Sequence, residues 1–257
     1  MKSKVFYQTS EDMSAIEDNS IQLMVTSPPY WDLKNYKVDN QIGYKEGYET
    51  YLERLYKVWQ ETYRVLKDNG IAIINIITKS KKKSLVLIPL DFIRQMKNLE
   101  FHYQDTLIWH KSSGIPRIKN FGDHFEYFLI FSKNNSFKAT KNKKIKTRYN
   151  VKDVNTDRLV NMWNINKKFG SIAKKYSKVH PALFPVKFIT RLIKLFTDKG
   201  DIVLDPFLGS GTTLYAAIQT GRYCYGYELN KKDYSPLIKG RLIEDDILVE
   251  KYVEFIQ

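Results

Sequence analysis

The sequence predicts an α/β protein built on an open, mostly parallel sheet with helices on both faces. Three observations carry that expectation. The run IAIINII, Ile71 to Ile77, is apolar at nearly every position, as a parallel strand covered on both faces must be. Between Ile202 and Glu228 the chain reads strand, glycine loop, helix, strand, acid, the pattern of a nucleotide-binding βαβ unit. Strand-like and helix-like segments alternate along most of the 257 residues, with no internal repeat. That length suits one domain, residues 1–257, carrying an insertion.

Each element has its own signature. Ile21 to Thr26 (IQLMVT) is a short apolar run with β-branched residues, stopped by Pro28 and Pro29. From Tyr48 to Leu66 apolar side chains recur at helical spacing, and Asp68-Asn69-Gly70 closes that helix before the strand Ile71 to Ile77. Strands follow at Thr106 to His110 and Tyr127 to Phe131. From about Ser132 to Asn161 the chain is polar, basic and without period, which reads as an inserted region. Pro185 to Phe196 is an amphipathic helix, and Asp198 to Asp201 turns the chain into the strand Ile202 to Leu204. A helix from about Thr212 to Thr220 and a strand from Tyr223 to Tyr227 complete the unit.

Charge narrows the partners. Forty-two Lys and Arg face twenty-eight Asp and Glu, a formal net charge of +14. One basic cluster is Lys79 to Lys83. A longer one runs from Lys133 to Lys152 and includes Lys138, Lys141, Lys143, Lys144, Lys146 and Arg148. Cations spaced in this way can displace counterions from a phosphate backbone, so charge alone leaves two readings, a nucleic-acid partner and a solvated lysine-rich face. No apolar run reaches the roughly 20 residues that span a bilayer, and the N-terminus has no signal-like segment. Cys224 is the single cysteine, so no internal disulfide forms, and His102, His110, His124 and His180 lack metal-ligand spacing. A cytoplasmic, nucleoid-associated protein with no metal and no membrane partner is the expectation.

The segment VLDPFLGSGTT, Val203 to Thr213, carries the first site. Gly209 and Gly211 permit a tight turn and close approach of a ligand. Thr212 and Thr213 are placed to cap the helix that follows. Glu228 stands 17 residues beyond Gly211, the approximate distance at which an acid reaches ribose hydroxyls. The dinucleotide fingerprint G-x-G-x-x-G is not met, because Leu214 stands where its third glycine would. A carboxylate at Asp205 suits a cationic nucleoside better than a pyrophosphate, and S-adenosylmethionine carries both a sulfonium and an ammonium.

A second site is Thr26-Ser27-Pro28-Pro29-Tyr30, at the carboxyl end of the first predicted strand. Two prolines stiffen the backbone and remove two donors, leaving carbonyls that accept. Such an acceptor suits an exocyclic amino group. Tyr30 offers a face on which a base can stack.

Together the two segments resemble the DNA amino-methyltransferases, the family that makes N4-methylcytosine and N6-methyladenine. TSPPY (Thr26 to Tyr30) looks like their catalytic motif and DPFLGSGTT (Asp205 to Thr213) like their cofactor motif. VHPALFP, Val179 to Pro185, resembles the segment that closes over the methionine end of the cofactor, with His180, Pro181, Ala182 and Phe184. The likeness covers nearly all the chain outside the basic insertion. Catalytic motif first and cofactor motif last is the permuted arrangement of the β class, in which target recognition lies between the two.

The resemblance therefore implies a Rossmann-like methyltransferase fold and S-adenosylmethionine as cofactor. Its site would comprise Thr26, Asp205, Pro206, Phe207, Gly209, Ser210, Gly211, Thr212, Thr213 and Glu228. It further implies double-stranded DNA as substrate, with base flipping into a pocket of Ser27, Pro28, Pro29 and Tyr30. Serine in the first position of the tetrapeptide goes with cytosine N4 in this family, and Asp or Asn with adenine N6. A restriction-modification system with a cognate endonuclease is implied as well. The short recognition region leaves room for a homodimer. One departure stands out: family members often carry Gly-Asp-Ser near the N-terminus, and here the chain has Gln8-Thr9-Ser10. The alternatives are adenine N6, an RNA substrate, and a catalytically dead DNA-binding protein.

Overall fold

A computed structural model describes residues 1–32, 34–81, 84–111, 124–135, 161–165 and 185–256. Among them, nine strands form one sheet. In chain order these are β1 Ser3–Phe6, β2 Ile21–Thr26, β3 Leu66–Ile76, β6 His102–His110, β7 Phe125–Ser132, β8 Met162–Asn164, β9 Ile202–Asp205, β10 Tyr223–Tyr227 and β11 Val253–Ile256. A separate hairpin pairs β4 Lys79–Lys81 with β5 Ser84–Val86. The helices are α1 Tyr48–Val65, α2 Ile88–Asn98, α3 Val186–Phe196, α4 Thr212–Gln219, α5 Lys231–Ile243 and the short α6 Val249–Tyr252.

The spatial order is β11-β1-β10-β9-β2-β3-β7-β6-β8. From β11 to β3 every pairing is parallel, while β7 runs against both β3 and β6. Two apolar layers sandwich this sheet. One packs α3, α4 and α5 through Phe188, Leu192, Leu214, Ala217 and Leu237 against Val25, Ile73 and Val203. The other packs α1 and α2 through Leu55, Trp59, Phe92 and Met96 against Met24, Ile74 and Leu204. Alternate residues of one strand serve opposite layers, which is why the central strands are apolar throughout. Trp59 and Trp163 are core residues, 0% and 3% exposed, and Cys224 is buried within β10.

Two expectations need correcting. Asp68-Asn69-Gly70 does not separate helix from strand: α1 ends at Val65 and β3 begins at Leu66. The extra residues are absorbed by an irregularity in which Ile21 and Leu23 face Leu66 and Ile71. Thr212 and Thr213 do not cap α4; Gly211 is its N-cap, at φ +76°, and no side chain bonds there. The strand at Tyr127 to Phe131 lies antiparallel within the sheet, which is otherwise parallel, as a mostly parallel sheet allows. Of the basic region expected between Ser132 and Asn161, residues 136–160 lie outside the described residues, and with them Lys138, Lys141, Lys143, Lys144, Lys146 and Arg148.

Candidate active site

Three neighbouring parallel strands end at one place. β2 delivers Thr26 to Tyr30, β9 delivers Asp205 and the glycine loop, and β10 delivers Glu228. From β9 the chain leads outward through α4 to β10; from β2 it leads the opposite way through α1 to β3. Ligands bind in the crevice at such a switch point. A cleft of about 940 Å³, counted to its open mouth, lies there. Asp205, Pro206, Phe207, Gly209, Ser210, Thr212, Thr213 and Glu228 line it, and Ser27 and Pro29 close it on the β2 side. Thr26, Pro28, Tyr30 and Gly211 are not among its lining residues.

Asp205 is 4% exposed and serves as the knot of the site. Its carboxylate accepts from Thr26 Oγ1 at 2.6 Å, from Thr213 Oγ1 at 2.6 Å and from the Phe207 amide at 3.1 Å. Burial pushes its carboxyl up, and these three donors pull it back. The bonds tie β2, β9 and α4 together, so Thr26 and Thr213 act by holding Asp205.

Glu228 turns both oxygens to the backbone. Oε2 accepts from the Gly209 amide at 2.9 Å and Oε1 from the Asn230 amide at 2.8 Å. Burial outweighs those bonds and pushes its carboxyl up to about 7. Gly209 and Gly211 have φ of +52° and +76°, conformations that favour glycine. A cleft with two carboxylates and a glycine-built floor fits a nucleoside with a cationic tail, which is the shape and charge of S-adenosylmethionine.

The tetrapeptide forms the second half. Ser27 Oγ lies 3.2 Å from Asn75 Oδ1 and 3.3 Å from Tyr30 Oη. Tyr30 Oη lies 2.8 Å from the same Asn75 oxygen and 3.2 Å from Glu126 Oε2. Asn75 is fixed by donating from Nδ2 to the Tyr127 carbonyl at 3.1 Å. Burial, with Glu126 alongside, keeps the Tyr30 phenol protonated. Pro29 offers its carbonyl to Tyr51 Oη at 3.0 Å. Trp31 is buried and donates to the Glu46 carbonyl at 3.1 Å, while Lys79 bonds the Trp31 carbonyl and lies over its ring.

Several residues of the site have no place in either motif. Tyr36, Val38, Gln41 and Ile42 form a cleft wall from the loop after the tetrapeptide. Asn230 Nδ2, at the N-cap of α5, ties that loop to the start of the helix through the Tyr36 carbonyl, at 2.8 Å. Gln8, Thr9 and Ser10 all line the cleft, so the segment that departs from Gly-Asp-Ser is in place without its acid. Asn75 had a readable signal, a lone amide inside an apolar strand. Glu126 had none. His180, Pro181, Ala182 and Phe184 lie outside the described residues. Among the described residues no group of His, Cys, Asp and Glu could hold a metal ion.

Fold and cleft define a nucleotide-binding enzyme of the doubly wound α/β class. Comparison with known proteins narrows it: residues 21–239 match the N6/N4 DNA methylase family, and the chain belongs to that family. It is 30% identical to the type II methyltransferase M.MthZI of Methanothermobacter thermautotrophicus, over 99% of this chain and 82% of that one. With the orphan methyltransferase M.BamHII of Bacillus amyloliquefaciens it shares 33% identity over 93% and 94%. A Thermus thermophilus protein assigned as a DNA modification methylase, solved with S-adenosyl-L-methionine, superposes with a TM-score of 0.70 at 28% identity, covering 99% and 100%. The cytosine-N4-specific PvuII DNA methyltransferase superposes at 0.78 with 20% identity, covering 98% and 90%, a likeness of fold. The chain is thus a DNA methyltransferase of the N4/N6 amino-group class, and its methyl donor is S-adenosylmethionine.

Proposed function

We propose that the chain methylates the exocyclic N4 of cytosine in double-stranded DNA. The observation that carries this reading is Ser27, a neutral hydroxyl at the first position of the tetrapeptide and on the wall of the cofactor cleft. In this family a serine at that position goes with cytosine N4, and Asp or Asn with adenine N6. The target base would flip out and rest against the tetrapeptide, stacked on Tyr30, with its amino group donating to Ser27 Oγ and the Pro28 carbonyl. Those acceptors would turn the nitrogen lone pair toward the methyl group, and positioning supplies most of the acceleration.

On the cofactor side, Glu228 would accept from the ribose hydroxyls. The glycine loop would back the methionine end, and His180, Pro181, Ala182 and Phe184 would cover it. Lys138 to Arg148, inside the inserted segment of about 132–161, would meet the DNA backbone. The type II names of relatives support a restriction-modification role, with an endonuclease of the same specificity as partner. Gel filtration with and without DNA tests a homodimer. Among the described residues no helix is long and apolar enough to cross a membrane.

The test is direct. Purified protein, DNA and labelled S-adenosylmethionine are incubated, and the DNA is digested to nucleosides for mass spectrometry. N4-methylcytosine is expected. N6-methyladenine would overturn the argument from Ser27 and keep the rest. Label in RNA but not in DNA would overturn the substrate.

A further inference from the structure

The hydroxyls of the tetrapeptide end on a carboxylate that neither sequence motif contains. Glu126 stands on β7, is 9% exposed, and pairs in register with Trp109 of β6. Its Oε1 accepts from Lys111 Nζ at 2.8 Å, and its Oε2 lies 3.2 Å from Tyr30 Oη. A buried carboxylate is costly unless paired, and Lys111 supplies the pair. A purely structural ion pair needs nothing more. Here the second oxygen faces the phenol that sits 3.3 Å from the serine of the cleft wall.

A phenol has one proton to donate, and Asn75 and Glu126 compete for it. In one arrangement both Ser27 and Tyr30 point at Asn75. In the other, Ser27 donates to Tyr30 and Tyr30 donates to Glu126. That second arrangement is an unbroken chain from the cleft to a base.

Amino methylation leaves a proton to be placed. Transfer forms the N–C bond and breaks the C–S bond, whose electron pair stays on sulfur. The nitrogen is left with a positive charge and one proton too many. A serine hydroxyl cannot keep that proton. We propose that Glu126 is its terminal acceptor, reached through Ser27 and Tyr30. The proton leaving nitrogen goes to Ser27 Oγ, the serine's own proton to Tyr30 Oη, and the tyrosine's to Glu126 Oε2. Both hydroxyls end neutral, and Glu126 is a carboxylic acid until product release opens it to water. Among the described residues, Tyr30 and Lys111 are the titratable groups that hydrogen-bond the carboxylate. The inference rests on Ser27 facing the target amino group, as proposed above, and not on which base carries that group.

Glu126→Gln separates a base from a prop, because the amide keeps the size and one acceptor oxygen but takes no proton. Its single-turnover methylation rate, at saturating cofactor, should fall about a hundredfold or more. Calorimetry should show cofactor binding unchanged. The pH–rate profile of the Gln variant should be flatter on its acid side than that of the wild type. Tyr30→Phe keeps the ring and breaks the chain, so its loss should be similar, and the double variant should be no slower than either single one.

A Gln variant within about twofold of wild type would overturn the relay, as would single losses that multiply. Should the Gln variant fail to bind cofactor, Tyr30→Phe decides alone, and a wild-type rate there overturns the relay. The nucleoside made by the wild type is read in the same assay. N6-methyladenine would sink the cytosine reading and leave the relay standing.

Discussion

Taking the protein from about pH 8 to about pH 6 should protonate Glu228 and loosen the cofactor about tenfold. The carboxyl is pushed up to about 7, chiefly by burial, while the Asn230 and Gly209 amides pull it the other way. Ribose hydroxyls donate to a carboxylate better than to a carboxylic acid, so binding favours the ionised form. A group with a value near 7 is about nine-tenths ionised at pH 8 and about one-tenth at pH 6, and the ratio sets the expected change in Kd. The complex holds fewer protons than the free protein, so binding releases a proton and strengthens as pH rises. The cofactor-free protein shows the opposite trend: folding raises the carboxyl from 4.5, so this group's contribution to stability falls as pH climbs from there through about 7. Titration calorimetry at both pH values, in two buffers of different ionisation heat, measures the affinity and the proton release. Glu228→Gln should flatten the pH dependence. A wild-type Kd that moves less than about twofold, with no proton released, would refute the placing of Glu228 on the ribose.

Thr213→Val keeps the shape but removes one of the donors on buried Asp205, and should lower stability by about 1–3 kcal/mol in urea unfolding. An unchanged midpoint would mean that the bond is idle. Gly226→Ala should weaken cofactor binding several-fold while the protein still folds. A Cβ there would meet Leu208 Cδ2 at 2.7 Å and displace the residue next to Gly209, and unaltered affinity would show that the loop yields freely. S-adenosylmethionine at about a hundred times its Kd should add about 2.7 kcal/mol and raise the melting temperature by several degrees. No shift at that concentration would mean that the folded protein does not take it up.

What could be read from sequence was local. The cofactor loop, its acid and the strand between them follow one another within a single βαβ unit, so spacing alone places them. The helix Tyr48–Val65 announced itself by its apolar stripe. β1 has only four residues, too few for a period to show. α5 contains Pro236, which reads as a breaker although Asn230 caps the helix firmly by accepting from the Asp233 amide. Thr26, just before the tetrapeptide, and Thr213 of the cofactor loop both bond the Asp205 carboxylate, a meeting of two distant segments that neither motif shows by itself. Glu126 reaches Tyr30 only through the antiparallel register of β7 on β3, and no local pattern encodes a register between distant strands.

The knot at Asp205 also has a consequence for the order in which the molecule is made. Thr26 and Asp205 are separated by 179 positions, and the bond between Ser3 Oγ and the Cys224 amide spans 221. On the ribosome, β2, β3 and β7 emerge long before β9, so one apolar layer can begin to collapse while the edge of β2 waits unpaired. Parallel strands joined across such distances fold slowly, because loop closure must precede the contacts that reward it. Refolding should therefore show helical and hairpin signals rising early and the capacity to bind S-adenosylmethionine returning last. Methylating competence is then an attribute of the finished chain alone, and no fragment that emerges before Asp205 carries a binding site for the methyl donor.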